Sequence, residues 1–262
     1  FRRVLFRSIS AMDDILKALK DESARQMLTE KASGIFTAAG RIIDLLATPE
    51  KAMKAAKDII GNTAGIIESD INEASAEDIS KGVAGVAEKA IGKLNREAIT
   101  QPLLVGQTAK AVVTNAIADK ILKKAESVTA VLTELEEEMD AGRIEEEIKT
   151  RMVIEISKPE GTNTIETTLP VTLIDSLESK GIGKLEINAG IASIIIEPGT
   201  INGEGADTVS FTVKETDRDK DLTPDQRSAV GDSPVYDFNA SVAGRDGSEK
   251  KVDSFGKPVE IA

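Results

Sequence analysis

Two hydrophobic periods run along this chain. From residue 9 to residue 148, apolar positions recur at three- and four-residue steps among Ala, Lys, Glu, Ile and Leu, the spacing of amphipathic helices. After Thr150 the step shortens to two: Met152, Ile154 and Ile156 alternate with Val153, Glu155 and Ser157, as along a half-buried strand.

Punctuation within the first period sets the expected helix ends. Thr48-Pro49-Glu50 supplies an N-cap, a proline at the first helical position and an acid in the first turn. Ser75-Ala76-Glu77-Asp78 predicts a second start, with two acids near the positive end of the helix dipole. Gly61-Asn62 and Gly65 weaken the helix between these points, and Pro102, after Thr100 and Gln101, marks a further break. The longest helix is predicted from Gln107 to Met139, with a stripe of Val113, Ile117, Ile121, Ala125, Val128, Leu132, Leu135 and Met139. Its later steps alternate four and three, as in a coiled-coil seam. A rigid stalk or dimerising coiled coil would use that stripe outwardly. A helix packing on its own Ala- and Gly-rich neighbours would bury it, and the short run of heptads favours this second reading.

In the second period, strands are predicted at 152–156, 164–169, 184–188, 191–197, 208–215, 235–243 and 258–262, separated by Pro159-Glu160-Gly161, Asn188-Ala189-Gly190, Pro198-Gly199 and Gly244-Arg245-Asp246-Gly247. A short helix follows Pro170, with Val171, Ile174 and Leu177 on one face and Gly181 after it. Another opens with the capping box Thr223-Pro224-Asp225-Gln226 and stops at Gly231. The expected fold is therefore α+β: an N-terminal all-α segment over residues 9–148, then a β-rich, sandwich-like antiparallel domain with two short helices over 150–262. The junction is expected near Gly142 to Thr150.

Composition narrows the chemistry. The chain carries a net charge of -12, which disfavours phosphate backbones and anionic lipid surfaces as partners. No apolar run approaches the roughly 20 residues of a membrane helix. Cysteine and histidine are both absent, which excludes disulfides, thiolate catalysis and zinc–sulfur sites and removes the commonest general base. With aromatics at 3%, the core must come from Ile, Val, Leu and Ala.

Both ends carry information of another kind. Residues 1–8, FRRVLFRS, resemble a translated sequencing adapter and are expected to be an artefactual segment outside the fold. The alternation Pro258-Val259-Glu260-Ile261-Ala262 reads as a strand in mid-course, so the β domain is expected to be incomplete at its C-terminus, with an unpaired edge that promotes self-association.

The passage LPVTLIDSLESKGIGKLEINAGIASIIIEPGTI, followed by DTVSFTVKETD, LTPDQRSAVGDSPVYDFNASVAG and KKVDSFGKPVEIA, resembles a module of secreted Gram-positive surface proteins, many of which carry S-layer homology repeats elsewhere. Its most specific parts are Pro234-Val235-Tyr236-Asp237 and Asp253-Ser254-Phe255-Gly256. The resemblance implies an extracellular, cell-wall-associated location and supplies no catalytic residues.

Candidate chemistry is sparse. Asp217, Asp219 and Asp221 have the one-three-five spacing of a calcium loop and are the weak candidate metal ligands. That loop needs Gly at its sixth position and Glu at its twelfth, where Leu222 and Ser228 stand, so a solvated loop before a capped helix is the expectation. Ser254 and Lys257 share the spacing of a serine–lysine pair, but Phe255-Gly256 and Pro258 predict a turn. Gly203, Gly205 and Gly181-Ile182-Gly183 lack the strand–loop–helix setting of a phosphate cradle. The acidic runs 134–138 and 145–147 read as a solvated helix end and linker. Tyr236 and Phe238, alternating with Asp237 and Asn239, read as core positions and not as a sugar platform. No catalytic residue and no cofactor are expected. The expected function is a non-catalytic structural or interaction region of an exported bacterial surface protein, whose partners are neighbouring domains of its own chain and other surface or wall components. An ancillary region of an extracellular hydrolase and an intracellular coiled-coil adaptor are the alternatives.

Overall fold

In the computed structural model, which describes residues 14–17, 25–46, 48–67, 73–141, 148, 150–201 and 205–262, the chain adopts an α+β fold. Residues 1–8 and 142–147 lie outside the described residues. Two compact units result: Phe1–Asn95 with Glu126–Thr150, and Arg96–Ala125 with Arg151–Ala262.

Helices α1 (Arg25–Leu45), α2 (Pro49–Ile67) and α3 (Glu73–Ile91) belong to the first unit, with α3 packed on both others. Their interior is dominated by small side chains: Ala39, Ala52, Ala56, Ala84, Ala87 and Ala90 are buried beside Ile43, Ile59, Ile60 and Ile79. Small residues let helix backbones approach, and Gly82 of α3 marks the tightest point. A Cβ there would lie 2.4 Å from the Phe36 ring of α1. Thr48 caps α2 as the sequence suggests, its Oγ1 accepting from the Lys51 amide at 3.4 Å. The breaks expected at Gly61-Asn62 and Gly65 do not occur. α2 continues to Ile67, with the Thr63 hydroxyl bonding the Ile59 carbonyl at 2.7 Å. Likewise α3 starts at Glu73, two residues before Ser75, which therefore sits in the first turn and not at the cap.

The larger departure falls at residues 96–112. There the chain forms strands β1 (Arg96–Ile99), β2 (Leu103–Val105) and β3 (Thr108–Val112) where helical spacing is read from the sequence. The long helix α4 (Asn115–Ala141) consequently begins eight residues later than Gln107, with Thr114 Oγ1 accepting from the Ile117 amide. Most of its stripe is buried within the chain, with Ile117 and Leu132 half-buried. Ala118, Ile121 and Ala125 are buried in the part of α4 that belongs to the second unit, and Val128, Leu135 and Met139 in the part that belongs to the first. The division between units thus falls inside α4 and at Thr150, and the segment 96–125 joins the strands.

The second unit adds β4 (Met152–Ile156), β5 (Thr164–Pro170), helix α5 (Val171–Glu178), β6 (Leu185–Asn188), β7 (Ser193–Ile196), β8 (Ala206–Glu215), short helices α6 (Arg218–Asp221) and α7 (Pro224–Val230), β9 (Tyr236–Gly244), β10 (Glu249–Lys251) and β11 (Glu260–Ile261). The described residues make two sheets, ordered β1-β4-β6-β7-β11 and β10-β9-β8-β5-β3-β2. Both are mixed, where an antiparallel domain is the sequence expectation: β1 with β4, β4 with β6, and β3 with β5 run parallel. Parallel neighbours need crossover connections, which α4 and α5 supply.

The two sheets bury side chains differently. In the five-stranded sheet, consecutive residues are buried: Met152, Val153 and Ile154 on β4, Ile194, Ile195 and Ile196 on β7. Burial on both faces is the usual condition of strands with parallel neighbours such as β4, and here it extends to β7, whose neighbours β6 and β11 are antiparallel. In the six-stranded sheet burial alternates, with Ile165, Thr167 and Leu169 buried on β5 and Val209, Phe211 and Val213 on β8. Phe211 stacks on Phe238 with ring centroids 6.1 Å apart, and Phe238 meets Phe255 at 6.2 Å. The opposite face presents Thr164, Glu166 and Thr168 beside Ser210, Thr212 and Lys214.

Candidate functional site

The acidic turn after β8 is the place where the sequence offers candidate metal ligands. Thr216 follows the last residue of β8, its amide bonded to the Val235 carbonyl at 2.9 Å, and the chain turns into α6 at once. Asp217 is the N-cap of α6, with Oδ1 accepting from the Asp219 amide at 3.2 Å and Oδ2 from the Lys220 ammonium at 2.6 Å. The hydrogen bond and charge of Lys220 hold the Asp217 carboxyl below its ordinary value, and Asp217 raises the Lys220 ammonium in turn. Asp221 turns back on the same loop and accepts from the Asp217 amide at 3.2 Å. Asp219 points the other way, toward the Arg227 guanidinium of α7 at 3.3 Å.

Each carboxylate is therefore aimed at a different protein donor, and all three residues are exposed. No described group of three or more acidic residues is arranged to hold a metal ion. The contacts of the turn join neighbouring elements. The turn fastens the end of β8 to α7, whose own start is closed by the capping box read from the sequence: Thr223 Oγ1 accepts from the Gln226 amide at 3.3 Å and Gln226 Oε1 accepts from the Thr223 amide at 2.9 Å.

Ser254 and Lys257 are likewise apart in role. Ser254 is exposed, Phe255 beside it packs against Phe238, and the Gly256 amide bonds the Thr200 carbonyl at 2.9 Å. Lys257 reaches Glu197 at 3.9 Å, a carboxylate it shares with Lys184. Tyr236 and Phe238 are half-buried while Asp237 and Asn239 are exposed, the alternation expected of core-facing positions. Of the acidic run 134–138, Glu134 is paired with Lys57, and Leu135 is buried. The run 145–147 and Gly203 lie outside the described residues.

No family model, curated protein or solved structure matches the chain. No described helix is long and apolar enough to cross a membrane.

Two features escape the sequence reading. Glu186 is a buried acid on β6, held by Arg151 at 2.8 Å and by the Ser193 hydroxyl at 2.8 Å. A buried carboxylate needs such partners, and nothing in the local pattern distinguishes Glu186 from a solvent-facing residue. The other is the edge strand β2, whose Leu103, Leu104 and Val105 are all exposed. Its signal is legible: residues 98–109 contain no charged side chain in a chain that is 30% charged.

Proposed function

We propose that this chain is a non-catalytic structural or interaction region of an exported bacterial cell-surface protein of the S-layer type, located outside the cell and associated with the wall. The helical unit acts as a spacer or packing partner and the β unit as one module among others. The single observation that carries the reading is where the chemically versatile side chains go. Asp217, Asp219, Asp221 and Lys220 close a turn, Lys257 neutralises Glu197, and Glu186 ties β6 to Arg151. They serve as fasteners between elements, the use expected where shape and contact are what the fold delivers. The resemblance of residues 152–262 to secreted surface modules supplies the location. Sequencing the source gene and fractionating the source cells, with an antibody raised against this chain, tests it. An export signal with the antigen in the wall fraction is the expected result; antigen confined to the cytosol would refute the proposal.

A further inference from the structure

Among the described residues the two sheets end in four edge strands, and three of them carry charge: Arg96 and Glu97 on β1, Glu260 on β11, and Glu249, Lys250 and Lys251 on β10. Charged edge residues are the usual protection against strand-to-strand association. β2 has none. Leu103 is 67% exposed, Leu104 53% and Val105 53%, and Val112 on the adjacent strand is 53% exposed.

The free side of β2 also has defined backbone polarity. On either side of β3, the Val113 amide donates to the Thr168 carbonyl of β5, and the Gln107 carbonyl accepts from the Asn163 and Thr164 amides. Odd-numbered residues of this stretch thus direct their backbone groups toward β5, and Thr108 and Lys110 direct theirs toward β2. Their partners are Val105 and Leu103, so Leu104, opposite Ala109, points its N–H and C=O away from the sheet.

We infer that β2 is a pairing edge for a second copy of this chain, joined antiparallel about a two-fold axis at Leu104. The register is self-complementary. With Leu104 opposite its counterpart, the two residues exchange both backbone hydrogen bonds, and Leu103 of each copy faces Val105 of the other. Leu103 and Val105 lie on the face that also carries Val112, the diagonal neighbour of Leu103, so the pair forms one apolar block across the axis. Charge selects the same occupant. Two copies at -12 repel over most of their surfaces, and the charge-free stretch 98–109 is where they approach at least electrostatic cost. Lys110, the nearest cation on that face, is already neutralised by Glu166 at 2.9 Å. This pairing does not depend on the surface-protein reading.

The chain contains no cysteine, which makes the test clean. In an antiparallel hydrogen-bonded pair the Cα atoms stand about 5.5 Å apart, within disulfide reach. Under mild oxidation Leu104→Cys is expected to form a disulfide-linked dimer several-fold faster than Lys250→Cys on the opposite edge. Analytical ultracentrifugation of the unmodified chain should show a concentration-dependent dimer, lost in Leu104→Lys while the melting temperature is retained. Equal cross-linking at the two edges, or a dimer that survives Leu104→Lys, would overturn the proposal. A monomeric unmodified chain at the highest soluble concentration would overturn it too and leave the edge to a different partner.

Discussion

The helical unit and the β unit reach dense interiors by opposite means. In the first, helices come together because side chains are small, with Ala84 and Ala87 facing inward and Gly82 against Phe36. In the second, backbone spacing is fixed by the sheet ladder, and large side chains such as Phe211, Ile154 and Ile196 fill the space between layers. One interior should be intolerant of added atoms and the other of removed ones.

The largest expected effect is in the β unit. Phe211 is wholly buried and stacked on Phe238, so Phe211→Ala should destabilise by about 3–5 kcal/mol, read from denaturant melts. A loss below about 1 kcal/mol would mean the sheet interior collapses to fill the space, contrary to the contrast drawn above.

Next comes a pair of substitutions in α3. Glycine within a helix normally costs up to about 1 kcal/mol relative to alanine, so Gly85→Ala, which meets nothing within 4 Å, should stabilise. Gly82→Ala, three positions earlier, should instead destabilise by about 1–3 kcal/mol because its Cβ collides with Phe36. Combining it with Phe36→Leu should recover part of the loss, and a strictly additive double mutant would show that the contact is not the cause.

Two smaller effects concern the fasteners around α6 and α7. Thr223→Ala removes one half of a capping box and should cost about 1 kcal/mol, seen as faster amide exchange at Gln226. Asp217→Asn keeps a good cap residue but removes the charge. A carboxyl held below its ordinary value in the folded chain adds stability above that ordinary value, near pH 4, and loses it as pH falls through the folded value. The melting temperatures of the two proteins should therefore differ slightly at neutral pH and converge as the pH falls through the folded value. Because Asp217 is exposed to solvent the gap is expected to be the smallest of the set. Calcium should leave both melts unmoved.

Signals confined to one turn or one strand were readable from the sequence: the Thr48 cap, the Thr223–Gln226 box, the helix after Pro170, and the alternation along β5, β8 and β9. Even there tertiary packing adjusted the detail, since the buried face of α5 is Leu173, Ile174 and Leu177, with Val171 half-buried. What was not readable depends on partners far along the chain. Ala109 and Ala111 are helix formers by propensity, yet they pair with Ile165 and Thr167 of β5. β1 pairs with β4 across the whole of α4. Short strands of Arg-Glu-Ala-Ile and Thr-Ala-Lys-Ala-Val take their conformation from those ladders. At the acidic turn the capped helix that follows was legible from Thr223 to Gln226, but the Lys220 and Arg227 partners of the carboxylates required the fold.

Assignment of residues 96–112 to the β unit is thus the central point, and hydrogen exchange on the intact chain tests it most directly. Phe211→Ala removes a wholly buried side chain from the β unit. Peptides covering 96–112 are expected to lose amide protection together with those covering 152–170 and 206–215, while peptides covering 25–60 and 76–91 keep theirs. If the protection of 96–112 instead follows the helices and is unchanged by Phe211→Ala, the segment belongs with the helical unit and the division described above is wrong.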